Sequence, residues 1–249
     1  MSLAIAQTQQ QTLSKSPLLW TVMGSVTAVT AMGLFAIDRI TPTQLKVAVT
    51  GAGTMFTPAF MNWKKTIVEF SFINTVVGHK LLNRSWYNEI IPGKLTLSAM
   101  PLVNYGHVEE FAQNNIQLIL TTLEPHEWEY NLFGIPAVRK DWNTANIQHE
   151  IIETPDFEPM SQDNIMKGVE ILRKAILEDG KNVCVHCKAG RARSATVVIC
   201  YLLKHGEAHG IPKFQDIDSA ITYVAVRRPV INLNVKQRAA IVTFFSSLS

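Results

Sequence analysis

Three observations predict an α/β fold, an open sheet covered by helices. Short apolar runs of β character alternate with helical stretches over most of the chain from Ser85 onward. One of those helical stretches, SATVVICYLLKHG, is apolar nearly all round, which places it in the centre of the packing. Immediately before it, the run KNVCV passes through HCKAGRARS, so a strand, a tight loop and a buried helix follow one another without a break.

Taken in order, residues 1–15 are rich in Gln, Ser and Thr and read as disordered. Pro17 to Ile37 carries no charge and is about long enough to cross a hydrocarbon core of roughly 30 Å as a helix. Lys15 precedes it, while Arg39, Lys46, Lys64 and Lys65 follow, a bias that puts the C-terminal bulk on the cytoplasmic side. A cleaved signal peptide and a buried helix are the alternatives; a mitochondrial presequence fits less well, because such segments are Arg-rich and amphipathic. GAGTMFTP lacks the strand-to-helix context of a nucleotide site. MNWKKTIVEFSFINTVVGHKLL reads as an amphipathic helix lying on a membrane or on the main domain. The expected division is therefore an N-terminal extension over 1–80, with a candidate membrane segment at 17–37, and a main domain over 81–249.

Within that domain, LTLSAMP (95–101) alternates and stops at a proline, as a strand does. HVEEFAQNN is a short helix and IQLILTTL a buried strand, followed between Glu124 and Asn146 by two short strands or loops. Ser161 is the expected N-cap of DNIMKGVEILRKAILED, where Ile165, Val169, Leu172 and Ile176 recur at helical spacing and Gly180 is the stop. Residues 213–227 and 234–247 are the last two helices.

Composition narrows the class. The chain has 249 residues, a net charge of +3 and no run of five or six like charges, which argues against nucleic-acid binding. Its three cysteines, Cys184, Cys187 and Cys200, are too few and too clustered for a disulfide framework and point to a reducing compartment. The histidines show no metal-ligand spacing, and no cofactor is expected.

The loop His186–Ser194 holds the chemistry. A turn between the C-terminal end of a strand and the N-terminus of a helix gathers unpaired backbone N–H groups and the positive end of the helix dipole. Gly190 allows the tight turn that makes those N–H groups a nest. Arg193 returns beside Cys187, and its planar fork matches two oxygens of a phosphate. In such a field a thiol pKa falls to roughly 3.5–7.5. A thiolate at the floor of a phosphate cup implies in-line attack on phosphorus and a phosphocysteine intermediate, without a metal. A bare Cys-x5-Arg spacing is common by chance; His186, Gly190, Ser194 and the strand-to-helix context make it specific. Cys184-x-x-Cys187 also has the spacing of a redox pair, but residues i and i+3 of a strand face opposite sides, so Cys184 belongs to the core.

These residues resemble the His-Cys-x5-Arg-Ser/Thr signature of the protein tyrosine phosphatase superfamily. The closer similarity is to its dual-specificity branch, and within that to the mitochondrial phosphatases of this type that act on phosphatidylglycerophosphate. It rests on HCKAGRARSAT, the upstream WYNEIIP, LTLSAMPL and DNIMKGVEIL, and covers roughly residues 85–245. The resemblance implies a cysteine-phosphatase fold, with a central mixed sheet flanked by helices, and a phospholipid head group as substrate. It assigns Cys187 as nucleophile and Lys188, Ala189, Gly190, Arg191, Ala192 and Arg193 as the phosphate cup. Ser194 then assists the departure of the Cys187 sulfur, His186 orders the loop, and Lys188 and Arg191 adapt the cup to a highly anionic head group. The general acid is expected upstream of the helix before the loop: Asp156 in ETPDFEP, with Asp141 in RKDWN as the runner-up. Arg228 in VRRPVINLN is expected to buttress the loop. Two rival functions stay open, a dual-specificity protein phosphatase and a membrane-tethered phosphate-binding module without turnover.

Overall fold

The computed structural model of the protein describes residues 72, 75–128 and 134–248, so the expectations for 1–15, 17–37 and GAGTMFTP lie outside the described residues. Residues 75–82 are helical. Among the described residues no helix is long and apolar enough to cross a membrane. The chain divides into a unit Met1–Gly78 and a unit His79–Ser249, and all elements named below belong to the second.

Its centre is a five-stranded sheet. The strands are β1 (Tyr87–Ile91), β2 (Leu95–Ser98), β3 (Leu118–Thr121), β4 (Gln148–Ile151) and β5 (Val183–His186), in the order β1-β2-β5-β3-β4. Only β1 runs antiparallel; β2, β5, β3 and β4 are mutually parallel. The central strand is thus VCVH, buried on both faces, which is why it reads as a short continuous apolar run. Helices cover both faces: α1 (His107–Gln113), α2 (Arg139–Thr144), α3 (Gln162–Arg173), α4 (Arg193–His205), α5 (Ile217–Arg227) and α6 (Val235–Ser246).

Val183 and Val185 of β5 face the larger core with α3, α4, α5 and α6, whereas Cys184 faces the smaller one with Phe111, Ile119 and Trp142. That alternation puts Cys184 on the side away from its valine neighbours, as the period of two requires. Eleven residues of α4 are buried, and it packs against α3, α5 and α6. Ser161 Oγ accepts from Asn164 N at 3.2 Å to start α3, which runs on through a π-helical turn at Lys174–Glu178 before Gly180, at φ +68°.

The segment between Glu124 and Asn146 corrects the expectation of short strands or loops. Its described residues, 124–128 and 134–146, hold a 3-10 turn at Pro125–Trp128, an isolated bridge of Pro136 to Leu102 and helix α2. Six residues are too few to show helical periodicity, and the stabilising contact is local: Val138 N–H donates to Asp141 Oδ2 at 2.9 Å. Strands β1 and β4 are not visible in the sequence. Both are edge strands with polar residues, YNEII and QHEI, so neither needs a continuous apolar run.

Candidate active site

The parallel strands all end on one edge, and the nucleophile loop and the groups that face Arg193 sit at or beyond such ends. β2 ends at Ser98, β3 is followed by Glu127, β4 by Thr154 and Asp156, and β5 by the loop from Cys187 to Arg193. The crevice at the carboxyl ends of parallel strands is where open α/β sheets bind ligands.

The loop is shaped by what holds its carbonyl groups. Lys188 O accepts from Met100 N at 2.9 Å, Gly190 O from Arg228 Nε at 2.8 Å, and Arg191 O from Asn232 N at 2.9 Å. Ala189 O takes a longer contact, 3.5 Å from Arg228 Nη2. In a planar trans peptide the N–H of the next residue points opposite to the carbonyl. Four carbonyls turned outward therefore aim the N–H groups of Ala189, Gly190, Arg191 and Ala192 inward, as a nest for an anion. Gly190 is required twice over: its φ is +63°, and a Cβ there would overlap the Ser98 carbonyl and the Arg228 guanidinium.

Arg228 is buried, and burial lowers its pKa to about 10. Its Nη1 also donates to Asn88 Oδ1 at 2.8 Å, so one guanidinium ties the loop to strand β1. Arg191 Nε donates to Val230 O at 3.0 Å, and the Lys188 side chain is buried, so neither of these cations is a plain solubility residue.

Cys187 is only 3 % exposed. Burial pushes its thiol up, but the Arg193 charge and the hydrogen bonds from Ser194 more than reverse this, leaving it below the ordinary thiol range. Ser194 Oγ donates to Cys187 Sγ at 3.2 Å. Cys184 and Cys200 are also free and buried, but burial drives both upward. Of the three thiols, Cys187 is the one whose surroundings favour the thiolate.

His186 stays off the sulfur. Its Nδ1 donates to the Cys187 carbonyl at 3.2 Å, and its Nε2 meets Thr121 Oγ1 at 2.7 Å. Thr121 Oγ1 also meets His149 Nε2 at 2.8 Å. Burial lowers the pKa of His186 to about 3 and of His149 to about 4, so both rings are neutral. A neutral His186 that donates through Nδ1 must accept through Nε2. The Thr121 hydroxyl therefore donates to His186 and accepts from His149.

Arg193 is gripped by a residue that carries no signal in the sequence. Its Nη1 donates to Glu127 Oε2 at 2.5 Å and to Thr154 O at 3.0 Å, and its Nη2 donates to Glu127 Oε1 at 2.9 Å. The Glu127 side chain is 0 % exposed, and this bidentate pair fixes the plane of the guanidinium. Glu127 lies 66 positions upstream of Arg193, in a stretch without periodicity, and only the fold reveals it.

The two candidate acids separate clearly. Asp156 Oδ1 lies 3.1 Å from Arg193 Nη2, inside the site. Its burial raises the carboxyl pKa, and the opposing charge of Arg193 does not cancel that rise. Asp141 is the capping carboxylate of α2 and takes no part in this constellation.

The family profile described as the dual specificity phosphatase catalytic domain matches residues 103–247, more than half of the chain. The Arabidopsis thaliana phosphatidylglycerophosphate phosphatase PTPMT1 is 31% identical over 178 residues, covering 70% of this chain and 47% of that protein. The Homo sapiens phosphatidylglycerophosphatase and protein-tyrosine phosphatase 1 is 32% identical over 123 residues, covering 49% of this chain and 58% of that protein. The chain thus spans about half the length of these curated relatives. The crystal structure of PTPMT1 in complex with PI(5)P is similar with a TM-score of 0.56 and 26% identity, covering 66% of this chain and 97% of that one.

Proposed function

This chain belongs to the dual-specificity branch of the protein tyrosine phosphatase superfamily, and on that premise we propose that it is a cysteine-dependent phosphomonoesterase acting on a phospholipid head group. The observation that carries the reading is a thiol held below its ordinary range at the floor of a cup whose four carbonyls are tied outward. The lipid class is supported by the names of the relatives, phosphatidylglycerophosphate phosphatases, and by the PI(5)P bound to a similar structure.

The Cys187 thiolate attacks phosphorus in line; the S–P bond forms as the bond to the leaving oxygen breaks. The inward N–H groups and Arg193 stabilise the equatorial oxygens. Phosphate competes with Asp156 for Arg193 Nη2, and the freed carboxyl, whose burial favours the protonated form, gives its proton to the leaving alkoxide. Asp156, now a carboxylate, takes a proton from water as that water attacks the phosphocysteine. The S–P bond breaks, and Ser194 Oγ stabilises the departing thiolate. Lys188 and Arg191 serve the extra charge of the head group, residues 81–249 form the catalytic domain, and the uncharged segment 17–37 holds the protein at a bilayer in a reducing compartment.

A substrate panel tests this. The full-length protein, without added metal, is expected to show a kcat/KM for phosphatidylglycerophosphate or phosphatidylinositol 5-phosphate in vesicles at least about tenfold above that for a phosphotyrosine peptide, a difference of about 1.4 kcal/mol in transition-state binding. Preference for the peptide would overturn the lipid assignment in favour of a protein phosphatase. Absence of turnover on all of them would make the chain a binding module.

A further inference from the structure

We propose that Asn234 is a positioning residue that latches the acid loop to the nucleophile loop; this rests on the reading of Asp156 as the acid. Asn234 Nδ2 donates to Phe157 O at 2.9 Å, immediately after Asp156. Phe157 has φ +63°, a left-handed conformation that costs a bulky residue and persists only where the surroundings hold it. Its own N–H donates to Asp156 Oδ1 at 3.1 Å, so the turn that Asn234 pins also orients the carboxyl.

The other end of Asn234 is equally committed. Its Oδ1 accepts from Gln237 N at 2.9 Å as the N-cap of α6, and its backbone N–H donates to Gln237 Oε1 at 3.0 Å. This capping box makes Asn234 a fixed point rather than a swinging side chain. The residues before it hold the nucleophile loop: Arg228 binds the Gly190 carbonyl, Val230 O receives Arg191 Nε, and Asn232 N binds the Arg191 carbonyl. A single segment, Arg228 to Asn234, therefore holds both loops in one register. An exposed pair, Lys236 Nζ to Glu158 Oε2 at 3.3 Å, adds little.

Serine and aspartate both cap helices, so Asn234→Ser and Asn234→Asp keep the α6 cap and delete only the donor to Phe157. The readout is kcat/KM of the full-length protein on two aryl phosphates. 4-Nitrophenyl phosphate has a leaving group that needs little protonation, and phenyl phosphate has one that needs much. Asn234→Ser and Asn234→Asp are expected to lower the phenyl phosphate value at least about tenfold, and the 4-nitrophenyl phosphate value less than about threefold, a part of what general acid catalysis supplies. Asp156→Ala is expected to give the same pattern, larger. If Asp156→Ala discriminates between the substrates and the Asn234 variants lower both equally or neither, the latch is overturned and the acid stands. If Asp156→Ala does not discriminate, the acid assignment falls and the latch falls with it.

Discussion

Cys187→Ser is expected to abolish phosphate release, by on the order of 10⁴-fold or more, the scale on which covalent enzymes lose rate when the nucleophile is removed. The substitution exchanges one atom at a position 3 % exposed, so the fold has little to accommodate. What disappears is the ionisable sulfur. The Arg193 charge and the Ser194 hydrogen bonds act on Cys187 to populate a thiolate; a serine hydroxyl in the same field remains protonated at neutral pH. The inward N–H groups depend on Arg228, Met100 and Asn232, none of which touches the sulfur, so inorganic phosphate should still bind to the variant in calorimetry. Turnover within tenfold of the wild type, measured with an aryl phosphate, would show that the sulfur is not the nucleophile.

Glu127→Ala should produce the second large effect, on stability and rate together. Removing one partner of a buried ion pair leaves the other charge uncompensated, at a cost of about 3–5 kcal/mol. Thr154 O and Asp156 retain part of the Arg193 solvation, which points to the lower end of that range. For a chain of this size that is a fall of roughly 10 °C in Tm. Rate suffers separately, because the guanidinium loses the bidentate partner that fixes its plane, and a displacement of about 1 Å in a positioned group costs about 10²-fold. Glu127→Gln keeps the volume and one carbonyl acceptor but not the charge. It is expected to recover only the part of the Tm that packing and one hydrogen bond supply, while kcat/KM stays well below that of the wild type. Wild-type kcat/KM in Glu127→Ala, at a temperature where it is folded, would remove Glu127 from the site.

What the sequence reveals here follows from how local each interaction is. The loop Cys187 to Ser194 was legible because its glycine, its arginine and its strand-to-helix setting are contiguous, so the chemistry is written in one stretch. The buried helix α4 and the capped helix α3 were legible for the same reason: burial and capping leave local patterns. Glu127, Thr154 and Asn88 were not legible. Each reaches its arginine across a separation that only the sheet order closes, up to 140 positions for Asn88 and Arg228. Asp156 and Asp141 look alike as sequence; burial beside Arg193 distinguishes one, and a cap on α2 occupies the other. Strand β4 escaped notice because an edge strand needs little apolar surface, yet its end delivers Thr154 and Asp156 to the site.

The pH dependence of Cys187 alkylation tests the central claim most directly. In the full-length protein, reaction with iodoacetamide is followed at Cys187 by peptide mass mapping. Cys184 and Cys200, both buried and pushed upward, serve as unreactive internal references. Arg193 and Ser194 lower this thiol, and cysteines activated in this way ionise at roughly 3.5–7.5, so its reactivity should rise with a midpoint below about 7.5. A midpoint at or above about 8.5, that of an ordinary free cysteine, would contradict the account.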